Sequence, residues 1–316
     1  MKKLLQHKSI LIGILVAGLA LRLAWALLPL ETLLLTLEDD AWMVTAIARH
    51  WALGHGITAD GLTPTNGFHP LYPLTLGALP FLFAPDNLAL GFRLNMVICA
   101  VLNTLALLPL YGLLRHFSRP RLALLGTALI ALNPYFVRAS VNAMETSLAL
   151  LLLLTFWWYA LQPGPLTPRR SLILGVLAAV ATLARLDSLI AAALIGAWLL
   201  GRELYARRVT VWPFVYGAVT LGLMLPYFVR NIVVFGAISP SSGRALAYLH
   251  SYRESFTFSG GVQILAYNTL IDLAWLSTLA LAILIAALGG LLWALRGPTL
   301  ARLAPLVVYA LSLTIY

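Results

Sequence analysis

Carboxylates are scarce in this chain. Eleven Asp and Glu stand among 316 residues, against 21 Lys and Arg, and charged residues make up only 10% of the whole. A soluble domain needs about a quarter of its residues charged to cover its surface. Cysteine is scarcer: the single thiol, Cys99, lies inside an apolar run and can form no intrachain disulfide. Several chemical signatures are missing as well. There is no P-loop, no HExxH pair, no CxxC and no GxSxG elbow. Those absences leave no visible nucleotide-driven engine, zincin, thiol-redox site or serine-hydrolase elbow. The short alternating strands of a membrane β-barrel are also absent.

What is present is hydrocarbon. Hydrophobic residues make up 61% of the chain and mean hydropathy is +0.91. Apolar runs of about 18 residues or more recur, and each reads as a membrane span. The fold class expected is therefore all-α, a polytopic transmembrane helical protein. The net charge of +10 could suggest nucleic acid, but the basic residues fall in short clusters between apolar runs, as the positive-inside rule describes. The start, MKKLLQHKSILIGILVAGLALRLAWALLPLE, carries an apolar segment longer than a signal-peptide core. It reads as an uncleaved first helix with Lys2, Lys3 and Lys8 in the cytoplasm.

The pattern predicts a first span at 9–30, then an extracytoplasmic loop over 31–87 holding two surface helices, 41–53 and 70–84. Met43, Ile47 and Trp51 mark the apolar face of the first. Residues 70–84 carry three prolines and are too short to span comfortably. Spans follow at 88–114, 122–137, 147–161 and 209–229, with a second outer loop at 230–262 and further apolar segments at 263–295 and 303–316. The run 171–201 is either one span or two short ones meeting at ARLDS. The charge rule prefers two, because RELYARR (202–208) then joins RHFSRPR and PRR on the inside. Under this topology ten of the eleven acids lie outside or near the outer face; only Glu203 is inside. Chemistry is expected where the carboxylates collect.

Five constellations stand out on that face. Glu38, Asp39 and Asp40 are adjacent. Adjacent acids beside a membrane are costly unless they cap a helix, hold a cation or act as a general base. His69, in PTNGFHPLYP, precedes a helix start and could meet an anion there, or simply sit in the headgroup region. Arg138 and Glu145, in RASVNAMET, could be a second part of the same site or ordinary interfacial polarity with a snorkelling arginine. Arg185 and Asp187 form a charged pair inside an apolar run, a functional candidate in a membrane or else the pin of a hairpin apex. Arg230 and Arg244 flank a Gly/Ser/Pro loop that could cradle a phosphate or merely connect spans.

Together these stretches carry a resemblance. EDDAW, ARHWALGHG, PTNGFHPLYPL, NAMETSLALLLLL, ARLDSL and VFGAISPSSG, in this order over about residues 10–245, resemble the GT-C superfamily of integral-membrane glycosyltransferases. The likeness is to the bacterial protein mannosyltransferases, aminoarabinose transferases and lipopolysaccharide-modifying galacturonosyl transferases. It implies a GT-C-like fold in a bacterial inner membrane. It also implies inverting transfer of a sugar from a polyprenyl-phosphate donor to a lipid, glycan or protein acceptor at the extracytoplasmic face. Nucleic acid is not an expected partner. Asp39 matches the first-loop carboxylate of that family, the base or acceptor-orienting group, and Asp40 its acidic neighbour. His69 falls where some relatives place a lysine on the donor phosphate. Glu145 lies near a second outer-loop carboxylate, and Arg185 matches a basic residue between later spans. A divalent cation (Mg, Mn or Ca) at Asp39 and Asp40 is an option, not a requirement. Family members usually carry eleven or more spans, so on this resemblance either the sequence is a fragment or the remaining spans are absent, and part of the donor groove is expected to be missing from it. Two other classes stay open: a lipid-linked sugar flippase or transporter, and an inactive scaffold subunit.

The topology is testable with cysteines introduced singly at Ala206 and Ser242 in a background lacking Cys99. A membrane-impermeant thiol reagent applied from outside should label the cysteine at 242 and spare the one at 206; labelling at 206 reverses the assignment.

Overall fold

The structure is a computed structural model that describes residues 2–242, with the exception of 36 and 239. Arg244, most of the loop expected at 230–262 and the apolar segments after it lie outside the described residues. The chain divides into two compact units, the larger holding residues up to 189 and 210–242. In the smaller unit the described residues are 190–209, where the Arg202 guanidinium lies 5.1 Å from the Trp198 ring centroid.

The described residues fold into helices, with one isolated β-bridge between Thr58 and Pro64. In chain order the helices are α1 (Lys2–Ala26), α2 (Leu30–Leu34), α3 (Asp39–Ala52), α4 (Leu71–Leu74), α5 (Leu79–Phe83), α6 (Leu88–Phe117), α7 (Pro120–Leu132), α8 (Pro134–Ser140), α9 (Thr146–Ala160), α10 (Pro168–Ala184), α11 (Ser188–Tyr205) and α12 (Trp212–Phe235). Among the described residues four helices are long and apolar enough to cross a membrane: α1, α6, α11 and α12. The bent pair α7–α8 makes a fifth if it counts as one span. Their length and composition are those of a multi-pass membrane protein.

Several expected boundaries move, each for a local reason. The first helix ends at Ala26 rather than 30, because Pro29 restarts the chain as α2. The segment 70–84 is two single-turn helices, not one, with Thr75 in a non-helical conformation between them. The expected span 122–137 turns by 62° at Asn133. There the Asn133 side chain accepts from the N–H groups of Tyr135 and Phe136 at 2.8 and 3.4 Å, and Pro134 opens the next helix. The run 171–201 is interrupted between Ala184 and Ser188, so it is not one continuous helix. At the other end α12 runs on to Phe235, stopped by Gly236 in the left-handed conformation, so Arg230 is helical.

Within the larger unit α6 packs on α9, α1 lies against α6 and α7, and α10 is held between α9 and α12. The α10–α12 approach is close because residue 175 is glycine. A Cβ there would stand 2.8 Å from Val219 Cβ and 2.9 Å from the Tyr216 carbonyl oxygen. Ala41, Val44, Thr45, Ile47 and Ala48 of α3 are buried in the protein, whereas Trp51 is exposed and donates from its indole nitrogen to the Leu74 carbonyl at 3.1 Å. Small side chains let α3 sit tightly on the bundle. Val44 shares a core with Tyr72, Cys99, Leu148, Ala149 and Ala184, so the first loop rests on the ends of α6, α9 and α10.

Buried arginines pin these packings. Arg22 is fully buried and donates from Nε to Asn103 Oδ1 at 2.9 Å and from Nη1 to the Gly18 and Ala131 carbonyls at 2.9 and 2.8 Å. One guanidinium thus ties α1, α6 and α7. Arg93 donates to the Ala26 and Leu28 carbonyls, both at 3.0 Å, which occupies acceptors left open where α1 ends. Arg170 does the same for the end of α9 through the Ala160 carbonyl at 3.0 Å.

Asn103→Leu should strand Arg22 Nε in an apolar interior and cost roughly 1.5–3 kcal/mol, the usual range for a hydrogen bond to a charged group. Thermal unfolding in detergent measures it. The double variant with Arg22→Met should recover part of the loss, because the stranded charge is then gone.

Candidate functional site

The site is assembled from four separated segments, and each presents its group for a local reason. Glu38 sits at the N-cap of α3 with extended backbone and no side-chain cap bond, and Asp39 and Asp40 occupy the first turn. There the helix dipole favours negative charge. Asp39 Oδ1 accepts from the Asp40 N–H at 3.0 Å. The Asp40 carboxylate has no hydrogen bond among the described residues, and both acids are exposed. Capping therefore accounts for one oxygen of Asp39 and leaves Asp40 uncommitted.

The loop that brings His69 up is fixed by short-range polar contacts. Asp60 Oδ1 accepts from the Thr58 hydroxyl at 2.7 Å and from the N–H groups of Leu62 and Thr63 at 2.8 and 2.7 Å. Those donors hold the Asp60 carboxyl well below the usual carboxylate range. A His50 ring nitrogen lies 3.0 Å from the Thr58 carbonyl oxygen, tying the loop to α3. Glu145 stands at the N-cap of α9 after a tight turn in which Ala143 has φ 55°. Asn142 accepts from the Met144 N–H at 3.2 Å, and its amide donates to Thr146 Oγ1 at 3.1 Å. The turn buries Glu145 to 3% exposure.

The fourth segment is the helix break. Arg185 leaves α10 in an extended conformation, so the Leu186 N–H is not spent on α10's ladder. His69 Nδ1 accepts it at 3.1 Å, from a position 117 residues earlier. On the other edge of the ring, His69 Nε2 lies 3.8 Å from Glu145 Oε1. Arg185 Nη1 reaches the same oxygen at 3.9 Å, while its Nε donates to Asp187 Oδ2 at 3.0 Å. Asp40 is close enough for its charge to act on Glu145.

Burial and charge set the protonation. Burial pushes the Glu145 carboxyl up, assisted by Asp40 and Asp187 and opposed by a backbone hydrogen bond and by Arg185. Burial first, then Arg185, depress the His69 imidazole to about 4, against the attraction of Asp187. The imidazole is therefore neutral at neutral pH. Its share of folding stability is present above the ordinary histidine range and is lost as pH falls from there toward about 4. Arg185 thus meets the carboxylates of Glu145 and Asp187, while Asp40 adds its charge to Glu145 from α3. The site is rich in proton acceptors and carries an excess of negative charge.

Beside it lies an apolar groove of about 300 Å³. Phe68 and Pro70, the neighbours of His69, line it with Leu183 and with Leu223, Pro226, Tyr227 and Arg230 of α12. Among the described residues Arg230 is the one basic side chain lining it, and it also donates to the Thr65 carbonyl at 3.2 Å. The segment after α12 meets the loop between α3 and α4: Asn66 Oδ1 accepts from the Ser241 N–H at 3.1 Å. Gly67 permits the approach, since a Cβ there would stand 2.9 Å from Ser241 Oγ.

Of the residues expected from the sequence, Asp40, His69, Glu145, Arg185 and Asp187 come together, with Asp39 adjacent on α3. Arg230 belongs to the groove. Arg138 is exposed on α8 and takes no part in the ion pairs of the cluster. The option of a divalent cation at Asp39 and Asp40 meets a poor donor set. Asp39 folds one oxygen onto its own helix, and among the described residues no group of three or more His, Cys, Asp or Glu converges as metal ligands would. A hard cation takes six or more oxygens, so these two carboxylates would leave most of its shell to water.

The sequence reading missed Asn66, fully buried as the acceptor that holds Ser241. It missed the groove and the Leu186 amide too. An Asn-Gly pair gives no local signal of a partner 175 residues away, and a backbone amide leaves none in any sequence. No family model, curated protein or solved structure matches the chain.

Arg185→Gln should raise the His69 titration toward the ordinary histidine range, because the depressing charge is removed while Asp187 and Glu145 remain. Histidine chemical shifts against pH measure it; an unmoved titration means that burial alone sets the value.

Proposed function

We propose that this chain is a membrane glycosyltransferase that moves a sugar from a polyprenyl-phosphate donor to an acceptor hydroxyl, with inversion. The observation that supports this most is the convergence of Asp40, Glu145, Asp187 and Arg185 from separate segments beside an apolar groove that contains a cation. The GT-C-like order of EDDAW, NGFHP, NAMET and ARLDSL agrees with it. The short basic clusters between the apolar runs support reading the cluster as extracytoplasmic in a bacterial inner membrane, by the positive-inside rule.

The charge distribution divides the labour. A phosphate is poorly served by a cluster holding three carboxylates, but Arg230 stands in the groove with none lining it. The isoprenoid tail lies in the groove and against the lipid-facing helices, and Arg230 holds its phosphate. Arg138 and Arg244 are further candidates to attract the donor. The sugar then projects toward the carboxylates. The acceptor hydroxyl gives its proton to an Asp of the α3 first turn as its oxygen bonds to the anomeric carbon. On the opposite side of the sugar the carbon–oxygen bond to phosphate breaks. Its electron pair leaves with polyprenyl phosphate, whose charge Arg230 offsets. Asp40, with its uncommitted carboxylate, is the better placed base, and Asp39 orients it through the α3 turn.

Mass-spectrometric detection of released polyprenyl phosphate, across a panel of lipid-phosphate sugars and acceptors, tests the proposal. Asp40→Asn should lower release about 10²–10⁴-fold, the usual worth of a general base, with donor binding retained. Asp39→Asn should lower it less. Equal release from Asp40→Asn and wild type removes Asp40 as base. Vectorial transport without release would support the flippase reading instead.

A further inference from the structure

The sequence leaves His69 open between meeting an anion and sitting in the headgroup region, and the resemblance places it near a donor phosphate. The geometry assigns it a different part: we infer that His69 works uncharged, as a positioning residue whose Nδ1 fastens the Arg185–Asp187 break to the first loop and whose Nε2–H directs Glu145. The catalytic half of this inference rests on the transfer reading above; the structural half does not.

The argument begins with the ring's two nitrogens. Nδ1 lies 3.1 Å from the Leu186 nitrogen, whose N–H points at it. A nitrogen that accepts a hydrogen bond carries no proton, so the ring's proton is on Nε2. Nε2 is the atom that faces Glu145 Oε1 at 3.8 Å. A small rotation of either side chain brings N–H and carboxylate into contact. The ring cannot take a second proton at Nδ1 without confronting the Leu186 N–H, donor against donor. The charged form thus loses the bond that holds 69 to 186.

The surroundings agree with this. Arg185 reaches the same Glu145 oxygen and would repel an imidazolium. The groups around the ring are Glu145 from the start of α9, Arg185 and Asp187 from the break, and Asp40 from α3 acting on Glu145. Glu145 and Asp187 favour a charged ring and Arg185 opposes it, but the Leu186 amide is the contact that charging would break. A phosphate at Nε2 would meanwhile have to displace Glu145, a nearly buried carboxylate of like sign. The anion-binding role therefore falls to other cations, and His69 gives the site direction without charge.

Three substitutions separate the roles. Asn places its oxygen near the Nδ1 position and can keep the Leu186 clamp. Gln places an N–H near the Nε2 position and can keep the bond to Glu145. Lys supplies a fixed cation and no acceptor. With histidine-¹⁵N-labelled protein in detergent, His69 (assigned by its loss in His69→Asn) should show a bare Nδ1 and a protonated Nε2, unchanged between about pH 6 and 8. Among the variants His69→Asn should melt near wild type, whereas His69→Lys should melt roughly 1–2 °C lower for a chain of this size. In the release assay His69→Gln should stay within about tenfold of wild type while His69→Lys falls further. A protonated Nδ1 at neutral pH overturns the inference, as does a His69→Lys protein that matches wild type while His69→Gln is dead. If wild type releases nothing from any donor, the transfer reading fails alone; the nitrogen shifts and melting temperatures still decide what His69 does.

Discussion

Glu145 at the buried start of α9 is the point around which the rest of the site is arranged. A carboxylate almost closed off from solvent is costly to ionise unless donors and cations face it. Here His69 and Arg185 approach the same oxygen, and each is supplied by a break in regular structure. His69 comes from a loop held by the Asp60 turn, and Arg185 from the gap between α10 and α11. Had 171–201 continued as one helix, the Leu186 amide would be consumed by the backbone ladder and the Arg185 backbone could not leave it. The interruption frees the amide that His69 Nδ1 accepts, and that acceptance fixes which edge of the imidazole faces Glu145.

The same rule governs the apolar interior. Polar groups there have to be satisfied by the chain itself. Arg22, Arg93 and Arg170 each answer it by turning a guanidinium onto backbone carbonyls, several of them at helix ends. Their role differs from that of the basic clusters that orient a membrane protein. Arginine suits it because its flat, multiply donating head reaches several carbonyls at once. With the bundle pinned this way, small residues such as Gly175 and Ala48 let helices approach closely, and the ends of α6, α9 and α10 form a platform under the first loop.

Function, on this reading, arises from keeping two requirements apart. Groups that hold a proton acceptor in place cluster at Glu145, where charge is already balanced toward the negative. The cation lining the groove, Arg230, stands among apolar side chains, and no described carboxylate lines the groove with it. A lipid-borne anion and a proton acceptor can then be served on neighbouring ground without cancelling each other.

Much was legible from the sequence because it depends on composition and on neighbours. Hydrophobic runs mark helices wherever backbone groups must pair internally, which is why α3, α6, α9 and α12 begin within a few residues of where apolar pattern and proline placed them. The clustering of Asp39, Asp40, Glu145 and Asp187 on one side followed from counting charges between spans. Tertiary structure decided what counting cannot: that Ala41, Val44 and Ala48 of α3 pack into the protein, that Asn66 is a buried clamp on Ser241, that Arg138 stays outside the cluster, and that His69 meets an amide. The physical reason is common to all four. Each depends on which surface another segment, tens of residues or more away, presents at a distance of a few ångströms, and only packing sets that.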